Sequence, residues 1–348
     1  RQIPLNQKIS LLQSYNDIIL HYHELIKSSV VRYMEQFVFK TFVNSEGSYI
    51  YQERMDINGV VAALSQKDEV SQTGSVSYGS TNDYNVLLGL EEEIRKSCQL
   101  AVDLQSASKP KGGQYTVITD PMLTGVFVHE AFGHLSEADS VYEDENLQKL
   151  MQFGTELGSS ILSIYDSGTL EGTRGYLKYD DEGVKTEKTY LIKDGKLTGR
   201  LHSRETAGKM KERPTGSARA LSYKFPPICR MRSTCIEAGC SQLEDMIKDI
   251  ELGIIAYKAT GGETNGEMFT FSPAYAYMIR NGKIAELIRD VNLSGNVFTT
   301  LKNIDMISSS EQVKDGSGGC GKGLQFPLPV SMGGPFIRIQ NVIVGGDE

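Results

Sequence analysis

The sequence lacks a membrane span, a disulfide framework and an excess of positive charge, and each lack removes a class of function. No stretch approaches the ~18 consecutive apolar residues that a bilayer-crossing helix needs. The five cysteines, Cys98, Cys229, Cys235, Cys240 and Cys320, are odd in number and irregularly spaced over 348 residues. A disulfide-stapled scaffold does not look like this, and reduced thiols in a reducing compartment are expected. Cys229, Cys235 and Cys240 also miss the C-x-x-C spacing of a structural zinc site, so half-buried strand positions are expected for them. The net charge of -8, with a pI near 5.4, argues against a main partner with a phosphate backbone, which usually meets a basic face. Neither direct nucleic-acid binding nor a membrane partner is expected. No signal peptide is visible, and the first residue is Arg1 rather than methionine. The expectation is that an amino-terminal part is missing, with any targeting signal in it, and that the protein is cytoplasmic.

What is present is the composition of a globular protein, 39% hydrophobic and 23% charged, long enough for two domains with a core each. Residues 4–26 carry apolar positions at helical spacing. Two strand-like runs follow, VVRYMEQFVFKTFVN and SYIYQERMDINGVVAALSQ, separated by a turn at Asn44–Gly47. A polar Gly/Ser-rich stretch from Ser71 to Asn82 leads to a long helix expected over Tyr84–Ser106, and SASKPKGG (106–113) reads as a linker. Beyond it, YTVIT is a strand and Asp120-Pro121 marks a helix start, with a capping carboxylate and a proline at the first helical position. The residues that follow, MLTGVFVHEAFGHL, are apolar nearly all round, so that helix should be buried. Short strands dominate after Ser159. Asp-Gly in TYLIKDGKLTG (189–199) and Asn-Gly in AYMIRNGKIAE (276–286) predict two type I′ hairpins, either a duplicated unit or a shared turn chemistry. The sequence therefore predicts an α+β protein of two domains, 1–112 and 113–348, the second rich in antiparallel sheet around a buried metal-binding helix.

That helix holds His129, Glu130 and His134. A zinc hydrolase needs two or three protein ligands, an open position for water and a carboxylate beside that water. The familiar H-E-x-x-H places both histidines on one helical face, but here the pattern is H-E-A-F-G-H. Five residues of ideal helix turn through ~500° and leave the rings about 140° apart. Both rings can reach one metal only if the helix ends, bends or takes a π-bulge, and Gly133, just before His134, is the residue suited to supply that distortion. A lone buried histidine is usually a hydrogen-bonded core residue; two with a glutamate on an apolar helix are harder to explain that way, because a buried unpaired carboxylate costs several kcal/mol. From the residues alone the third ligand stays open. Glu137 and Asp139 follow on the same segment, His202 opens what reads as a solvated helix start, and Asp180-Asp181-Glu182-Gly183 suits a hard cation or a solvated turn. Cys320 lies between glycines in GSGGCGKG, where a thiolate can approach a metal closely. The same loop, Gly316–Lys322, mimics a P-loop, but Gly323 replaces the Ser or Thr and LQFPLPV cannot be the helix that follows, so a nucleotide site is excluded.

Several longer stretches resemble the TldD/PmbA family, once called modulators of DNA gyrase and understood as metallopeptidases. They are GVFVHEAFGHLSEAD (125–139), DDEG (180–183), PTGSARALSYKFPPICRMRSTCIEAG (214–239), FTFSPAYAYMIRNGKI (269–284), LSGN (293–296) and CGKGLQFPLPVSMGGP (320–335), together covering nearly all of 113–348. The resemblance is to the metal-bearing, TldD-type branch. It implies zinc held by His129, His134 and Cys320, with Glu130 as general base. It further implies unfolded peptides or small labile proteins as substrates, activities such as leader-peptide maturation, and a homodimer or a heterodimer with a PmbA-type paralogue. The family's amino-terminal domain is longer than 1–112, so that domain is expected to be partial. The older name keeps a second reading open, a non-catalytic protein acting on a topoisomerase or another protein partner.

Overall fold

The structure is a computed structural model and describes residues 3–345; Arg1 and the outer limits of both expected domains fall outside them. The first unit starts with α1 (Leu5–Leu20), followed by the long strands β1 (Ile26–Val43) and β2 (Tyr49–Lys67) and then β3 (Val70–Thr81). The three strands form an antiparallel sheet in the order β1-β2-β3. Asn44 closes the first hairpin by accepting from the backbone N–H groups of Glu46 and Ser48 at 3.1 and 2.9 Å, and Gly47 supplies φ 89°. The Gly/Ser-rich stretch 71–82 is thus mostly the strand β3. Its small residues make room for α2 (Glu91–Asp103), because a Cβ at Gly74 would strike the carbonyl oxygen of Ser97. The helix expected from Tyr84 is shorter than its pattern. A 3-10 turn at Tyr84–Leu87 stops at Gly89, whose φ of 74° no continuous helix can accommodate, and α2 begins after it.

The second unit has two main sheets. A nine-stranded sheet is built around β4 (Gly113–Thr119), which pairs in parallel with 252–257 and antiparallel with 337–345. A six-stranded sheet contains strands 164–167, 188–193, 233–236 and 331–334 among others. The helix α3 (Pro121–Val128) packs against strands of both. Its start is the one the sequence predicts: Asp120 accepts from Leu123 N at 2.8 Å and from Lys258 N at 3.0 Å. Gly125 brings α3 directly onto the 331–334 strand, since a Cβ there would collide with Gly333 N. On the other side the Phe127 ring meets Phe269 and Phe271 at centroid distances of 5.3 and 5.5 Å. The whole is α+β with a buried central helix, as the sequence predicts.

The two look-alike hairpins lie in different sheets, 188–197 in the six-stranded and 275–288 in the nine-stranded one. Their turns have positive φ at both central residues, 50° and 79° at Asp194-Gly195 and 48° and 72° at Asn281-Gly282, so what they share is type I′ turn chemistry. Cys229 and Cys235 are fully buried on strands rather than half-buried, and Cys240 is exposed. No helix among the described residues is long and apolar enough to cross a membrane.

Candidate metal centre

The chain after α3 does not continue as α-helix. Residues His129–Gly133 form a π-helical turn, with His134 N–H donating to the His129 carbonyl, and a 3-10 turn (His134–Ser136) follows. The extra residue per turn cancels the angular excess of the five-residue spacing. The two rings end up facing one another, with centroids 5.2 Å apart and planes at 84°. The distortion expected at H-E-A-F-G-H is therefore a π-bulge. Gly133 does not cause it by a special backbone angle, since its φ and ψ are -55° and -51°, open to any residue. Its reason is space: a Cβ would collide with Sδ of Met231, itself fully buried.

Cys320 arrives from the far end of the chain, as the first residue of a short hairpin, 320–322 paired with 325–328. One ligand atom from each of His129, His134 and Cys320 lies within 4.8 Å of the others. The sulfur is 3.5 Å from His134 Nε2. Burial by itself would raise the Cys320 thiol, but the His129 and His134 rings outweigh it and bring it down to about 5. Burial likewise opposes a charged His134, yet Cys320 and Glu137 raise it to about 10. Two imidazoles and a thiolate able to ionise make a donor set that fits a borderline-soft cation such as zinc. His129 Nδ1 is buried and has no hydrogen-bond partner among the described residues, an expensive condition for a polar atom.

Glu130 is part-buried beside this set. Burial raises its carboxyl above the usual range, partly offset by the two histidines. Its backbone carbonyl accepts from Thr264 Oγ1 at 2.6 Å, tying the π turn to the 261–265 strand. Of the other candidates, Glu137 is in contact with the site but as a support. Its Oε2 lies 3.1 Å from His134 Nδ1, which leaves Nε2 facing Cys320, and 3.1 Å from Lys322 Nζ. Burial works against the Glu137 charge, but His134 and Lys322 hold its carboxyl below the usual range. Asp139 pairs with the same lysine at 2.6 Å.

His202 is not a solvated helix start. It is 1% exposed, with Nδ1 3.1 Å from Thr206 Oγ1 and Nε2 2.9 Å from Glu212. The cap of the helix is Ser203, in a capping box with Thr206. The DDEG run is a turn whose carboxylates serve the backbone. Asp180 accepts from Glu182 N, Val184 N and Ala218 N, and Asp181 accepts from Ala220 N and Lys40. Residues missed at the sequence level are those that hold the cysteine hairpin. Arg230, fully buried, donates to the carbonyls of Cys320 and Gln325 at 2.7 and 3.3 Å. Arg174 forks onto Asp56 of β2 at 2.9 and 2.8 Å and donates to the carbonyls of Gly316 and Gly318 at 2.7 and 2.8 Å. Arginines embedded in apolar strand sequence, as in ICRMRSTCI, were the one visible sign.

Residues 112–346 match the PmbA/TldA metallopeptidase C-terminal domain and residues 1–105 the central domain of the same family. A metalloprotease of Synechocystis sp. is 46% identical over 347 residues, covering 100% of this chain and 75% of the relative. A zinc metalloprotease TldD homolog of Saccharolobus solfataricus is 32% identical over 350 residues, 98% of this chain and 76% of the relative. Among solved structures, TldE from Thermococcus kodakarensis superposes with a TM-score of 0.73 at 20% identity, over 99% of this chain and 78% of that one; at that identity it speaks for the fold. The chain belongs to the TldD/PmbA family of metallopeptidases.

Proposed function

We propose that the protein is a zinc-dependent peptidase that hydrolyses unfolded peptides or small labile proteins, with zinc on His129, His134 and Cys320. The observation behind the reading is the convergence of those ligand atoms within 4.8 Å, with Glu130 beside them. The zinc named in the Saccharolobus relative supports the choice of metal. A zinc ion held there would supply a water acidic enough to ionise near pH ~7 and a Lewis acid for the carbonyl. The Glu130 carboxylate accepts the proton of the attacking water and passes it to the leaving amine. Glu137 and Lys322 keep the His134 ring turned so that Nε2 faces the ligand position. Among the described residues the strand 261–265 pairs on one side only, and it touches the π turn through Thr264. A substrate added at that edge would be held by its backbone and read at few side chains, as broad specificity requires.

A second subunit, a further copy or a PmbA-type paralogue, is proposed to cover the apolar face of the β1–β2 ribbon, where Phe39, Val43, Tyr49 and Tyr51 are exposed. Free thiols at all five cysteines support a reducing, cytoplasmic setting. The test of the chemistry is Glu130→Gln. The variant should keep its zinc, measured by elemental analysis, and lose hydrolysis of an unstructured peptide; undiminished turnover would sink the assignment. A native protein with neither metal nor cleavage would favour the non-catalytic reading.

A further inference from the structure

Beside the candidate metal centre lies a cavity of about 170 Å³ whose lining includes Met122, Val126, Ala259, Val330, Met332 and Lys314. None of His129, Glu130, His134 and Cys320 lines it, but two stretches of its wall adjoin them in the chain. Val126 stands one turn before Glu130, and Gly262, next to the lining Gly261, is so placed that a Cβ would come 3.1 Å from Glu130 Cγ and 3.3 Å from Val126 Cγ1. Across the cavity, the lining Gly319 directly precedes Cys320. We propose that this cavity is a side-chain pocket that selects an aliphatic residue of leucine or methionine size flanking the scissile bond, a proposal that rests on the peptidase reading above.

The chemistry of the walls sets the class of side chain. Met122, Val126 and Met332 are only part-buried, so carbon and sulfur surface is left for a substrate to cover. No carboxylate is among the described lining residues. The guanidinium of Arg174, which also lines the cavity, is already engaged by Asp56 and by the Gly316 and Gly318 carbonyls. It acts as a brace that fixes the glycine wall, so the pocket exists before substrate arrives. The exposed Lys314 gives the rim a positive charge, which favours an acidic over a basic residue beside the selected one. Backbone pairing at the 261–265 edge would tolerate many sequences, so this pocket is where preference is set.

The test uses a set of quenched fluorogenic peptides differing at one position, with Gly, Leu, Met, Phe or Asp there. Cleavage by the zinc-loaded protein is read together with polarisation binding of the same peptides to Glu130→Gln. Leu and Met should exceed Gly by about tenfold in kcat/KM and in affinity. Ala259→Phe, which fills the cavity, should lower the Leu-to-Gly ratio about tenfold, and Met122→Ala, which enlarges it, should raise the Phe-to-Leu ratio several-fold. Changes in these ratios at full zinc content report the shape of the pocket, because misfolding would lower cleavage of all the peptides alike. A flat native preference, or ratios unmoved in both variants at full zinc content, overturns the pocket. Leucine-selective binding without any cleavage would uphold the pocket and defeat the peptidase reading, so the two fail separately.

Discussion

The two halves of the candidate centre are held in opposite ways. His129, Glu130 and His134 come from one unbroken segment, and their geometry follows from a local event, a π turn after a buried helix. Cys320 comes from a glycine-rich stretch with little local structure, and its position is dictated by side chains remote in sequence: Arg230 on its own carbonyl, Arg174 on the carbonyls of Gly316 and Gly318. Arg174 in turn leans on Asp56 in β2, so the first unit of the chain helps place a ligand supplied by the second. A local spacing rule can find the first half. The second is a property of the tertiary fold, and the two should respond differently to mutation.

The largest effect is expected from breaking the brace on the cysteine side. Arg174 and Asp56 are 3% and 6% exposed. Arg174→Met would leave the buried Asp56 with only Asn58 at 3.1 Å and a long contact to Arg54 at 3.5 Å, and the Gly316 and Gly318 carbonyls without the Arg174 donor, and should cost ~3 kcal/mol, the low end for a broken buried pair. Loss of zinc should precede global unfolding in a denaturant series, since the loop is released before the sheets are. If zinc retention and unfolding midpoint fall together, the brace is merely structural. The double variant Arg174→Met with Asp56→Leu, which removes both charges but takes from Arg54 its contact with Asp56, should recover part of the stability but not the zinc affinity.

On the helical side the break is a steric one. Gly133→Ala introduces a Cβ against Met231 and should destabilise by ~1–3 kcal/mol through overpacking. Its backbone angles are ordinary, so the cost should depend on the neighbour: Gly133→Ala should lower the thermal midpoint far less in a Met231→Ala background, itself weakened by a cavity, than in the native protein. An equal loss in both backgrounds would return the explanation to the backbone.

These two cases mark what the sequence could show. A distortion between the histidines was legible because a spacing of five residues cannot close on a regular helix, and the cap of α3 because Asp120-Pro121 is a local signal. The reason for Gly133 was not, because it lies in Met231, which only packing brings near. His202 illustrates the same limit. The helix start here was legible in the sequence, but the Ser203–Thr206 capping box and the burial of the preceding histidine against Glu212 depend on how the loop folds back. The Gly/Ser stretch that became β3 was obscure for the related reason that small residues weaken a strand pattern while allowing α2 to approach.

Glu137 joins the halves, and its case separates ligand from support. By residue type and nearness it fitted a ligand as well as Cys320 did; what assigns it is Lys322, two residues beyond Cys320, whose Nζ lies 3.1 Å from the same carboxylate oxygen that meets His134 Nδ1. The hairpin that brings the thiolate thus also brings the cation that keeps Glu137 charged. Glu137→Gln preserves shape while weakening the hold on His134 and on Lys322. It should lower zinc affinity ~10–100-fold, read by competition with a chromophoric chelator, while leaving the zinc-loaded protein able to cleave. A metal ligand behaves otherwise: His134→Ala should lose zinc at every accessible concentration. If Glu137→Gln loses it as completely, the carboxylate belongs to the coordination sphere, and the contrast between a local half and a remotely held half gives way to a single four-residue cluster.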